Sequence, residues 1–236
     1  MRRLSKLHTM LERTGLARFA RAKRGIAAVE FALVAPILLT ALLATTDIAL
    51  ATITRRSVTA VAQEVAEIAS AMAVQPNSTN QLTDAQALLS TDAVFGIFPT
   101  WKSLVGTGAY SVTMSDIQFQ PTVVGCQSGC TYNAQVAWSY ANPYGQNVLR
   151  TCGALSQSAN TASPSYTSLP AGAFSATSVL VVDVNYTYKP IFFGFVINNI
   201  PMMATVYVPP RIGNGIQFIP KSGAANEVTC AANATE

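Results

Sequence analysis

The sequence predicts an α+β protein: a long N-terminal transmembrane helix running into a mostly antiparallel β-sheet domain outside the cytoplasm. Three observations carry that expectation. Residues 26–46 are apolar apart from Glu30 and a few threonines, and they follow a strongly basic segment. Beyond them, apolar residues recur every three or four positions from Val58 to Met72. After residue 110 the chain changes to alternating stretches rich in Val, Tyr and Thr, which read as strands.

Charge sets the orientation of the first element. Among 236 residues the net charge is +4, but it is unevenly placed. Residues 1–24 hold eight basic residues and one acid, whereas 26–236 hold seven basic and ten acidic residues. A body with so little positive charge offers no basic face to a phosphate backbone, which argues against nucleic acid as a partner. As a helix, residues 26–46 span about 31 Å, the thickness of a bilayer's hydrocarbon core. The basic residues hold the N-terminal side in the cytoplasm, and Arg55 and Arg56 are too few to reverse that bias.

The helix should continue past the membrane. In "RRSVTAVAQEVAEIASAMAV" the stripe Val58, Val61, Val65, Ile68 and Met72 lies on one face, with Gln63, Glu64 and Glu67 off it. One helix is expected from 26 to about 74, ended by "QPNSTN" at 75–80. A short second helix should start at Thr83, with Gln86 at capping-box spacing. Strands are expected at 110–120, 131–140, 178–189 and 203–210, the last stopped by two prolines. Between the second and third runs a Ser-, Asn- and Gly-rich stretch, near 141–173, reads as a surface loop or flexible insertion. The chain thus divides into a basic segment (1–25), a transmembrane and stalk helix (26–74) and an exported α+β domain (75–236).

Most catalytic chemistry is missing. The one histidine is His8, before the span, so the body holds neither a Ser-His-Asp triad nor a Cys-His pair. "GTG" (106–108) and "GNG" (213–215) do not extend to a phosphate-binding pattern. The reading is a non-enzyme without cofactor or metal. The four cysteines, Cys126, Cys130, Cys152 and Cys230, all follow the apolar segment, and their spacing does not fit a zinc ribbon. In an exported domain they read as disulfides. Three pairings are possible. The favoured one joins Cys126 to Cys130 as a staple and Cys152 to Cys230 as a tie between the polar stretch and the C-terminal region.

Three readings compete for "KRGIAAVEFALVAPILLTALLATTDIAL". One is an uncut anchor. A second is a secretory signal peptide with small residues at 49–51, against which stand its long apolar run and Asp47 just before the cut. The third accounts for Glu30. "KRG-IAAVEFALVAP" resembles a type IV prepilin leader, and "RGIAAVEFALVAPIL" resembles the TadE-like (TadE/TadF/TadG-related) pseudopilins of the tight-adherence (Tad, or Flp-type IVb) pilus system. "VLVVDVNYTYKPIFFGFVINNIPMMATVYVPPR" is similar to that family's end region. The resemblance covers residues 21–50 and 178–211.

What the resemblance implies is specific. The fold would be pilin-like. A prepilin peptidase would cut between Gly25 and Ile26, with Lys23 and Arg24 holding the site at the membrane surface. Glu30, fifth after the cut, would pair with the new Ile26 ammonium of a neighbouring subunit. Phe31 follows it, Pro36 would bend the helix, and Ala28, Ala32 and Ala35 would let helices approach closely, although such alanines are also ordinary in membrane helices. Partners would be other pilin or pseudopilin subunits and an inner-membrane assembly platform. The chain would be a minor subunit in the bacterial inner membrane, with its C-terminal domain in the periplasm or carried into the fibre. The alternative is an uncut inner-membrane-anchored periplasmic binding or adhesin domain.

Overall fold

The computed structural model describes residues 26–74, 80–221 and 223–231. The described chain forms two compact units. One holds the helix as far as Leu50 together with Ile191–Ile197; the other holds Ala51–Pro190 and the chain from Asn198 onward. Helix α1, Ile26–Met72, runs through both as one element of 47 residues, with Pro36 inside it.

In the larger unit, the helix is shaped for a sheet. Val58, Val61, Ala62, Val65, Ala66, Ala69 and Ala73 are buried, while Gln63, Glu64 and Glu67 face outward. The buried stripe is centred one position off the expected one, since Ile68 and Met72 are only partly buried. Alanine explains the difference. Its small side chain packs closely into the core, so Ala66, Ala69 and Ala73 share the stripe with the valines while Ile68 and Met72 lie at its flank. Strand β1 (Gln81–Thr83) follows, then α2 (Asp84–Asp92), whose Thr83 cap and Gln86 form the expected reciprocal capping box. A short α3 (Val94–Ile97) and a 3₁₀ turn (Pro99–Leu104) bring Phe98 and Trp101 into the core. There Trp101 stacks on Tyr186, with ring centroids 5.0 Å apart.

The main sheet has the order β5-β4-β3-β2-β6-β7, with β9 also pairing β3. Its long strands are β2 (Tyr110–Pro121), β3 (Tyr132–Ala141), β6 (Val179–Tyr188) and β7 (Ile200–Val208), and all four pair antiparallel. Short strands complete it. β4 (Ala154–Ser158) and β9 (Glu227–Thr229) share the free side of β3, at Ala134–Gln135 and Trp138–Tyr140 respectively, and β5 (Ser168–Pro170) pairs β4. β8 (Gln217–Ile219) pairs β1 in parallel as a separate two-stranded sheet. β7 is an outer strand: among the described residues its ladder partner is β6 alone.

A register shift between Asp116 and Ile117 divides the core in two. Val136 pairs opposite Ile117 and Trp138 opposite Asp116, so Ala137 is an extra residue on β3. Such a bulge moves following side chains to the other face. Ala134 and Val136 accordingly pack with Ile117, Phe119 and Leu169, while Trp138 and Tyr140 join the core that contains α1.

The stretch near 141–173 is more structured than a loop. It contains β4, β5 and the fully buried Arg150. Its polar composition hid this, because its few buried residues are spread too widely to show a strand period. Both cysteine pairs stand at disulfide distance, Cys126–Cys130 with Sγ–Sγ 2.08 Å and Cys152–Cys230 with 2.05 Å. The second bridge joins this stretch to the strand that ends at Thr229.

Candidate functional site

The first half of α1 is the region with the strongest functional character. From Ala28 to Leu42 almost every side chain is exposed, on all sides of the helix. Phe31 is 71% exposed, and Leu33, Ile37, Leu38 and Leu42 are similarly open. A helix apolar all round is at home inside a protein core or in lipid. Nothing in the described chain covers this one: the most apolar stretch, of mean hydropathy 2.1, has none of its residues buried. Among the described residues it is the one helix apolar and long enough to cross a membrane.

The residues singled out from sequence fall here in part. Ile26 is the first helical residue, and Glu30 lies one turn on with its side chain exposed. Pro36 is accommodated without ending the helix. Lys23, Arg24 and Gly25 lie outside the described residues. Thr40, Thr45 and Thr46 donate their hydroxyls to Ile37 and Leu42 carbonyls within the helix, which satisfies their polar atoms without a solvent partner.

Sequence reasoning missed one residue of this unit. Asp47 is 5% exposed. Its carboxylate accepts backbone N–H bonds from Ile191 (Oδ1, 3.0 Å), Phe192 (Oδ2, 3.1 Å) and Phe193 (Oδ2, 2.9 Å). Leu43, Ala44, Thr46 and Leu50, near Asp47 on the helix, are partly buried. An acid near the end of an apolar run was the available signal, since such groups are rarely left unpaired. Its partner lies 144 positions away, beyond the reach of any local pattern.

A second polar cluster lies on the sheet face opposite the α1 core. Arg150 and Asp183, both fully buried, form a two-point pair: Nε donates to Oδ2 at 2.8 Å and Nη2 to Oδ1 at 3.0 Å. Arg150 also donates to the Tyr166 carbonyl and lies over the Tyr166 ring at 5.5 Å. Thr205 Oγ1 donates to Asp183 at 2.6 Å. Burial pushes the Asp183 carboxyl up, and Arg150 and Thr205 pull against that shift. Each of the pair's main polar atoms is answered within the fold, so the arrangement pins the polar stretch to the sheet. Among the described residues no group of His, Cys, Asp or Glu is placed to hold a metal ion.

Residues 25–67 match the TadE-like protein family. The N-terminal segment is TadE-like. The matched residues lie almost wholly on α1 and cover both its exposed half and most of the half that packs in the larger unit. The TadE-like segment points to a Tad pilus-related role, with membrane association and pilus-assembly partners. No curated protein and no solved structure matches the chain.

Proposed function

We propose that this chain is a minor, pilin-like subunit of a Tad (Flp, type IVb) pilus assembly apparatus. It is processed by a prepilin peptidase between Gly25 and Ile26 and acts through helix–helix packing. The observation that carries the reading is the coincidence of the TadE-like match with a helix that is apolar and uncovered around its first half. Residues 1–25 are the leader, 26–74 the span and stalk, and 75–236 the periplasmic domain. Lys23 and Arg24 keep the cut at the cytoplasmic face.

Cleavage would create an ammonium at Ile26, one helical turn from Glu30. In a bundle of such helices, Glu30 meets the ammonium of a neighbour, a pairing that fixes register more than it adds stability. Phe31 and Pro36 lie on the same uncovered stretch and shape the contact. Two disulfides suit an oxidising periplasm. In this reading the chain is the peptidase's substrate, and its own work is assembly and adhesion.

Sequencing the N-terminus of the mature protein tests this directly. The expected first residue is Ile26. An intact Met1 supports the uncut anchored binding or adhesin domain, and a start at Thr52 supports a secretory signal. Gly25→Leu is expected to block maturation while membrane insertion continues, since a side chain there obstructs backbone entry into a protease cleft.

A further inference from the structure

The segment Ile191–Ile197, "IFFGFVI", joins β6 to β7 and carries no charge. In water a connection of this kind would be polar. Here Ile191 is 67% exposed, Phe195 86% and Val196 66%, with Phe192 and Ile197 also open. The turn is compact: the Phe193 carbonyl accepts from the N–H groups of Val196 and Ile197, at 2.9 and 2.8 Å, and the Phe193 and Phe195 rings stack at 6.2 Å.

Its place on α1 is fixed by Asp47, which takes the N–H groups of Ile191, Phe192 and Phe193. Asp47 lies 19 residues after Ala28, about 28 Å along the helix axis, near the far boundary of a hydrocarbon core. Ile48, the next residue on the helix, is exposed too, as is Leu42 a little over one turn before Asp47. The apolar surface of the segment therefore continues that of the helix at the depth where lipid meets water.

The hydrogen bonding fits that location. A loop in water needs no internal acceptor for its N–H groups, because solvent supplies one. A loop in lipid does, since an unpaired backbone donor there is costly. Three consecutive donors answered by one buried carboxylate meet that requirement, and the side chains are left facing outward.

We propose that residues 191–197 are a membrane-inserting loop, seated in the leaflet at the Asp47 end of the span, with Phe192, Phe195 and Val196 in the lipid and Asp47 as the positioning residue. This rests on the reading of residues 26–50 as a membrane span. The protein would then hold the bilayer at two points, the helix through it and the loop at its surface.

Depth-dependent fluorescence quenching tests it in the full chain, reconstituted in phosphatidylcholine and phosphatidylglycerol vesicles carrying lipids brominated either near the headgroup or deep in the acyl chain. Trp101 and Trp138 are buried and give the background. A Leu38→Trp variant reports the span, and Phe195→Trp reports the loop. The expected result is strong quenching of Leu38→Trp by deep bromines, and of Phe195→Trp by shallow bromines with a blue-shifted emission. Adding Asp47→Leu to Phe195→Trp should abolish the shallow quenching and leave that of Leu38→Trp unchanged. Quenched Leu38→Trp with unquenched, red-shifted Phe195→Trp would overturn the loop proposal and leave the span standing. Unquenched but blue-shifted Phe195→Trp would also overturn it, because protein and not lipid would then cover the loop. Both positions unquenched would overturn the span and the loop together.

Discussion

The two halves of α1 are equally helical and both rich in apolar residues, yet they face different surroundings. Before Leu50, large side chains such as Phe31, Leu33, Ile37 and Leu38 point outward on every side. After it, the buried stripe is made mainly of valine and alanine with Ser70, and Gln63, Glu64 and Glu67 cover the back. Hydrophobicity alone does not separate these environments. The width of the apolar face does: a fluid phase accepts bulk all round, whereas a helix packed on a core buries one stripe and keeps polar residues on its other face. One continuous helix therefore reads as two elements fitted to two different solvents.

Charge placement should break this contrast most sharply. Val65→Asp puts an unpaired carboxylate among fully buried neighbours. It is expected to unfold the sheet domain, seen as loss of near-UV circular dichroism, since the penalty is several kcal/mol, comparable to a domain's whole stability. Ile37→Asp is expected to leave the domain's melting untouched and to reduce membrane retention, at about 2.5–3.5 kcal/mol for an acid near the centre of a span. If both variants unfolded the domain to the same extent, the two-solvent reading would be wrong.

A change of size is a finer probe. Ala66 is fully buried, and Ala66→Leu should cost about 1–3 kcal/mol through overpacking, read as a shift of the denaturation midpoint. Ala32→Leu, on the exposed half, should leave that midpoint unchanged. The smallest expected effect is at the edge of the second half. Arg211 reaches Glu67 and Ser70, but its ion pair with Glu67 is open to solvent. Arg211→Ala should cost under about 1 kcal/mol and lose even that in high salt.

The elements legible from sequence were those with a period. A stripe every three or four residues marked α1, and two-residue alternation marked β2, β3, β6 and β7. The α+β class followed from their order. Strands of three to five residues escaped, because a strand like β1, β8 or β9 is too short to display alternation. The extra residue at Ala137 escaped because a bulge is defined by its partner strand. In the candidate site, Glu30 and Pro36 stood out as anomalies inside an apolar run, whereas Asp47 and Arg150 act through partners far along the chain. Asp47 stood out locally as an acid near the end of an apolar run, but its partner, like that of Arg150, became visible only once the chain was folded.

The outer position of β7 has a consequence for crowding. A free strand edge offers its backbone groups to any neighbouring chain, and subunits gathered in one membrane at high local density would otherwise pair edge to edge. Pro201 stands near the start of β7, and Pro209 and Pro210 follow its end directly. Proline has no N–H to give, so each of these positions withholds a donor from an added strand. Residues 202–208 between them keep their N–H groups, so the prolines confine the edge open to such pairing to about the length of one ordinary strand.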